Sequence, residues 1–191
     1  MMQLARWWRQ LRTLQLVALA LVAALACPAF GWEEPDKFRG VPWGATLEEA
    51  RALLKAAGDE CSDLSPKGRC YVHRAKIGPV SPVSILFTFG KSNAFEHATL
   101  SFPASQYAAV RAILVDRYGT ATRTKEETLQ NRFGTKFTNE IVEWSGERVY
   151  IRLRRNGSEL DKGSAIIGLK AALQREGEDR EKALKKGKDD L

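Results

Sequence analysis

The stretch 139–154, NEIVEWSGERVYIRLR, decides how this chain is read. Apolar and polar residues alternate on both sides of Ser145-Gly146, the pattern of two half-buried strands joined by a turn. If Ser145-Gly146 is a two-residue turn, Glu143 faces Arg148, Val142 faces Val149, Ile141 faces Tyr150 and Asn139 faces Arg152. Val142, Trp144, Val149, Ile151 and Leu153 then share the core face. The opposite face carries Arg148, Tyr150, Arg152 and Arg154. On this pairing Glu143 neutralises Arg148, while Arg152, Arg154 and the nearby Arg155 have no acid opposite them. Guanidinium groups grip carboxylates and phosphates in bidentate fashion, so Tyr150, Arg152 and Arg154 form a candidate binding face. Alternation alone also places polar residues on the outer face of a half-buried sheet, and that is the simpler reading.

Working outward from the hairpin, GSAIIGL (163–169) follows as a further strand, and a strand is expected around TLQNRF (128–133). Upstream, RCYVHRAKI (69–77), VSILFTF (83–89) and FEHATLSF (95–102) alternate in the same way, with GKSNA (90–94) as a turn. Val83, Ile85, Phe87 and Phe89 share one face and are assigned to the core.

Two helices interrupt the strands. Thr46 and Glu49 make a capping box, and Leu47, Ala50, Leu53, Leu54 and Ala57 recur on one face before Gly58. PASQYAAVRAILVDRYG carries Tyr107, Val110, Ile113 and Leu114 as an apolar stripe and ends at Gly119. The order is helix, strands, helix, strands. Short turns favour an antiparallel α+β sheet with two helices packed on one face, and the order suggests a duplicated helix-plus-meander unit.

At the front, Arg6, Arg9 and Arg12 precede the apolar run LVALALVAALA (16–26), with no acid among residues 1–31. This is the pattern of a secretory signal peptide. Eleven apolar residues reach about 16 Å as a helix, against ~30 Å of hydrocarbon, too short to span. Cleavage after Gly31 fits Ala29 and Gly31 as small residues and releases a soluble product. Ala24-Leu25-Ala26-Cys27 instead resembles a lipobox, which would make Cys27 a lipidated first residue. Ala24 in place of leucine and Pro28 after the cysteine favour the soluble product. Either exit leaves Cys61 and Cys70, and an even pair in an oxidising compartment implies a disulfide.

The expected organisation is therefore a leader at 1–31, one α+β domain at 32–170, and a charged helical or frayed tail at 171–191. The full chain carries a formal +7, which falls to +4 from Trp32 onward. That balance suits anionic envelope neighbours and is too small to indicate nucleic acid. No transmembrane segment is expected in the mature chain. His73 and His97 are the only histidines, and no spacing supplies a zinc ligand set or a cofactor motif. There is no G-x-S-x-G elbow. Gly90-Lys91-Ser92 lacks the upstream glycine of a phosphate loop, because Ile85 stands there. Trp43 is expected to plug the core where strand gives way to helix.

FRGVPWGATLEEARALL, DRYGTAT, FTNEIVEW and the closing KKGKDDL resemble a group of small exported bacterial proteins of unknown function. The helix-then-meander plan is also similar to the small-lipoprotein family that includes an outer-membrane assembly subunit, and to β-lactamase-inhibitor-like folds. The resemblance implies an envelope location and a binding or scaffolding role, and brings no catalytic residues. The expectation is a non-enzymatic periplasmic or secreted protein that binds another protein or an anionic envelope component. The alternatives are an envelope-associated hydrolase and an assembly factor anchored through Cys27.

Overall fold

The computed structural model describes residues 32, 34–62, 69–130, 133–157 and 159–189. The leader and Cys27 lie outside the described residues, as does the connection 63–68 between the two cysteines. Two short strands, β1 (Lys37–Phe38) and β2 (Val41–Pro42), pair with each other. They lead into helix α1 (Leu47–Ala56), followed by β3 (Cys61–Ser62), β4 (Arg69–Ile77), β5 (Val80–Phe89) and β6 (Phe95–Pro103). A single 3-10 turn, Ala104–Gln106, enters α2 (Tyr107–Tyr118). The second series is β7 (Arg123–Gln130), β8 (Lys136–Ser145), β9 (Val149–Arg154) and β10 (Lys162–Leu169), and the chain closes with α3 (Lys170–Asp189).

Eight strands form one antiparallel sheet in the order β3-β4-β5-β6-β10-β9-β8-β7. The order is palindromic: each half is a helix followed by four strands in meander, and the halves meet where β6 pairs with β10. This is the α+β architecture with the repeated plan expected from the element order. One edge is the two-residue β3 and the other is β7, RTKEETLQ, whose alternating charges discourage edge-to-edge pairing.

One face of the sheet carries the core. Val83, Ile85, Phe87 and Phe89 lie on it as read from the alternation, with Leu100, Phe102, Ala165, Ile167, Val142, Trp144, Ile151 and Leu153 beside them. Onto this face pack Ala50 and Leu54 of α1 and Tyr107, Val110, Leu114 and Tyr118 of α2. The α1 stripe is narrower than the periodicity suggested, because Leu53 and Ala57 are exposed. Its capping box is present: the Glu49 amide donates to Thr46 Oγ1 (3.3 Å) and the Thr46 amide to Glu49 Oε2 (2.8 Å). Trp43 stacks on Phe95 at 5.0 Å and donates from Nε1 to the Pro35 carbonyl (2.7 Å). Trp144 is fully buried and donates to the carbonyl of Gly119, which ties β8 to the end of α2 (2.9 Å).

The expected strand at 128–133 begins earlier, at Arg123, where a charged edge strand carries little apolar signal. The tail is a 20-residue helix, and only its first turns are covered, through Ala172 and Leu173. It lies on the face opposite α1 and α2: Arg175 pairs with Glu96 (2.5 Å) and Glu176 approaches His97, both residues of β6. Cys61 and Cys70 stand at disulfide distance, with Cα atoms 5.3 Å apart. Among the described residues no helix is long and apolar enough to cross a membrane.

Candidate functional site

The β8–β9 register corrects the hairpin pairing. Ser145 faces Tyr150, Trp144 faces Ile151, Glu143 faces Arg152 and Ile141 faces Arg154. The turn is therefore displaced by two residues, to Glu147-Arg148, and the Gly146 amide closes it on the Val149 carbonyl (3.0 Å). What holds it there is a residue from the start of the fold. The Glu34 carboxylate accepts from the amides of Glu147 (2.9 Å), Arg148 (2.5 Å) and Val149. Burial pushes the Glu34 pKa up, but the three amides and the nearby Arg148 outweigh it and hold the carboxyl below its ordinary value. Asn139 does not face Arg152. Its side chain instead donates to Glu127 (2.9 Å) and accepts from the Asn156 amide (2.8 Å).

Arg152 consequently has an acid opposite it, contrary to a turn at Ser145-Gly146. Its Nε contacts Glu143 Oε1 at 3.1 Å and the Tyr150 hydroxyl at 2.7 Å, and that hydroxyl donates to the same Oε1 at 2.6 Å. The guanidinium also lies over the Tyr150 ring at 5.1 Å. Glu143 is only 8% exposed, so an unpaired charge there would be costly, and the two partners remove that cost. Burial raises the Glu143 pKa, but Tyr150, Arg152 and Lys125 together bring it below the ordinary value. Tyr150 is pushed up to about 12 by burial and by its bond to Glu143.

Cross-strand pairing places these side chains in a row along the outer face. From edge to edge the row reads Ser62, Tyr71, Leu86, Thr99, Ile166, Arg152, Glu143 and Arg123. The helix α3 stands over this face and encloses a cleft of about 590 Å³. Ser145, Tyr150, Arg152 and Ile166 form the floor, and Lys170, Leu173, Glu176 and Arg180 stand on the helix side. Lys170 is anchored by donation from Nζ to the Gly146 carbonyl. The volume falls within the range usual for small-ligand sites.

Of the residues singled out in the sequence, Tyr150 and Arg152 come together in the cleft. Arg154 does not line it; it pairs with Ile141 and Ser164 farther along the sheet. Arg155 is on the other side, over the ring of Tyr107 at 5.1 Å. His73 is exposed, in edge contact with Tyr71. His97 is 6% exposed beneath α3, with Nδ1 lacking a hydrogen-bond partner among the described residues and Nε2 3.6 Å from Glu176. Burial lowers its pKa despite the opposing charges of Glu176 and Glu96. GKSNA is a turn, closed by the Gly90 amide on the Ala94 carbonyl (2.8 Å).

The helix wall of the cleft was not read from the sequence. Its signal was faint, a lone Leu173 beside Ala171-Ala172 in a charged tail. Comparison with protein-family models, with characterised proteins and with solved structures finds no match to this chain.

Proposed function

We propose that this chain is an exported, non-enzymatic binding protein of the bacterial envelope, and that its ligand or partner seats in the cleft between α3 and the outer sheet face. The observation that carries the reading is the state of the cleft floor. Glu143, Tyr150 and Arg152 are locked to one another, with the acid ionised and the phenol holding its proton. Such a network suits a rigid, charged platform better than proton transfer, which needs a group poised near the working pH. The signal-peptide pattern at 1–31 and the cysteine pair at disulfide distance support an oxidising compartment outside the cytoplasm, and the resemblance to small exported bacterial proteins supports the periplasm.

The test is photo-crosslinking in the native host from a reactive side chain at position 173, with position 126 on β7 as the control. A discrete adduct is expected from 173 and none from 126. Ile166→Trp, which fills the cleft from its floor, should abolish the adduct. Equal adducts from both positions, or an adduct indifferent to Ile166→Trp, would remove the cleft as the binding site.

A further inference from the structure

The cleft is chemically two-sided. Ile166 and Leu173 offer apolar surface, and Arg152, Lys170 and Arg180 carry positive charge. These cations are not equivalent. Lys170 spends its ammonium on the Gly146 carbonyl. Arg152 is held by Nε alone, so both of its Nη nitrogens are without a hydrogen bond or ion pair to the described residues. Its side chain remains 38% exposed. Arg180, on the exposed face of α3, forms no ion pair among the described residues.

A guanidinium fixed through Nε and open at its Nη pair is oriented before any ligand arrives. Such a fork matches the two oxygens of a carboxylate, and the prior ordering of the side chain reduces the entropy lost on binding. The charge balance then narrows the ligand. Three cations line the cleft, Glu176 stands among them and Glu143 lies under the floor, while Lys125, which also acts on Glu143, stands outside the lining. One positive charge is left over. A single carboxylate balances it, whereas a phosphomonoester at about −1.5 to −2 would exceed it.

We infer that the cleft binds a monoanionic carboxylate carried on an apolar body, with the carboxylate on Arg152 and Arg180 and the apolar body against Ile166 and Leu173. This rests on the cleft being the binding site. The carboxylate could come from a peptide or from an aliphatic acid; the recognition chemistry is the same.

The inference is tested by amide chemical-shift titration of the purified, isotope-labelled protein. The probes are N-acetyl-leucyl-leucine, octanoate, the amide of each, and octyl phosphate. The acids should shift Ser145, Tyr150, Arg152, Ile166 and Leu173 and bind about tenfold or more tightly than the amides, the worth of one charge-assisted hydrogen bond. Octyl phosphate should bind more weakly than octanoate. Arg180→Gln, on an exposed helix turn where folding is not at stake, should weaken the acids severalfold and leave the amides unchanged. Arg152→Lys, which keeps the charge beside Glu143 but removes the fork, should do the same more strongly. A tighter peptide acid or a tighter aliphatic acid identifies the source, and either sustains the inference. Acids and amides binding alike would overturn the carboxylate assignment while leaving the cleft reading intact. No shift of the cleft residues with any probe at about 10 mM would overturn both.

Discussion

Replacing Gly168 by alanine probes the junction of the two halves. Gly168 on β10 pairs with His97 on β6, and a Cβ built there would lie 2.2 Å from the His97 Cβ. It would also lie 2.8 Å from the Glu96 carbonyl oxygen and 2.8 Å from the His97 Cα. Real Cβ atoms do not approach this closely, and two of the three obstacles are backbone that cannot rotate away. The strands must therefore part at the pair that joins the halves. Overpacking of this kind costs about 1–3 kcal/mol, and the rigid surroundings put Gly168→Ala near the upper end. At about 2–4 °C per kcal/mol for a chain of this size, the melting temperature should fall by roughly 6–12 °C. The control is Gly177→Ala on α3, where an added Cβ meets nothing within 4 Å. Alanine in place of a helical glycine should stabilise by about 0.5–1 kcal/mol and raise the melting temperature by a few degrees. Calorimetry on the two variants and the parent gives both numbers. A Gly168→Ala protein that melts within a degree of the parent would refute the β6–β10 register.

Other outcomes follow from the same contacts. Glu143 has a depressed folded-state pKa, so its stabilisation is present above the unfolded value and lost as pH falls through the folded one; Glu143→Gln should flatten the acid limb of a stability-pH profile below about pH 4.5. His97, also depressed, binds its proton more readily in the unfolded chain, so stability should decline as pH falls through about 6.5 and His97→Gln should remove that slope in urea titrations at pH 7.5 and 5.5. Tyr150 should keep its phenolic proton until about pH 12, so subtracting the Tyr150→Phe ultraviolet titration from the parent's should isolate a transition there and none near 10. Joining Cys61 to Cys70 closes a short loop, and its reduction should cost roughly 2–3 kcal/mol, read as a lower denaturant midpoint with reductant.

The hairpin explains what could and could not be read in the sequence. A strand's faces repeat every two residues, so exchanging the imagined turn for the observed one preserves which residues point inward. Val142, Trp144, Val149, Ile151 and Leu153 are buried as expected, while every cross-strand partner differs. The turn at Glu147-Arg148 is held by Glu34, more than a hundred residues away in the chain, and no local pattern reports such a contact. Tyr150 and Arg152 could be singled out because alternation put them on one face; it put Glu143 there too, but opposite Arg148 instead of Arg152, because its partner depends on the register. Long apolar runs such as VSILFTF announced the central strands, and the charged edge β7 and the docking of α3 left almost no apolar trace. Leu53 shows the converse, a residue on the right helical period that stays exposed because α1 sits near the end of the sheet, beside β3 and β4.

The palindromic strand order also bears on how the chain reaches this state. Within each half the large strands pair with sequence neighbours, β4 with β5 and β5 with β6, then β7 with β8 and β8 with β9. Such contacts close short loops and form early, because little chain must be restrained before they are made. Only β6 meeting β10 spans the distance between the two series. Each meander is expected to assemble largely by itself, with the central pairing zipping up last around His97 and Gly168. Destabilisation placed at that junction should therefore appear mainly as faster unfolding, with the refolding rate of Gly168→Ala close to that of the parent in stopped-flow measurements.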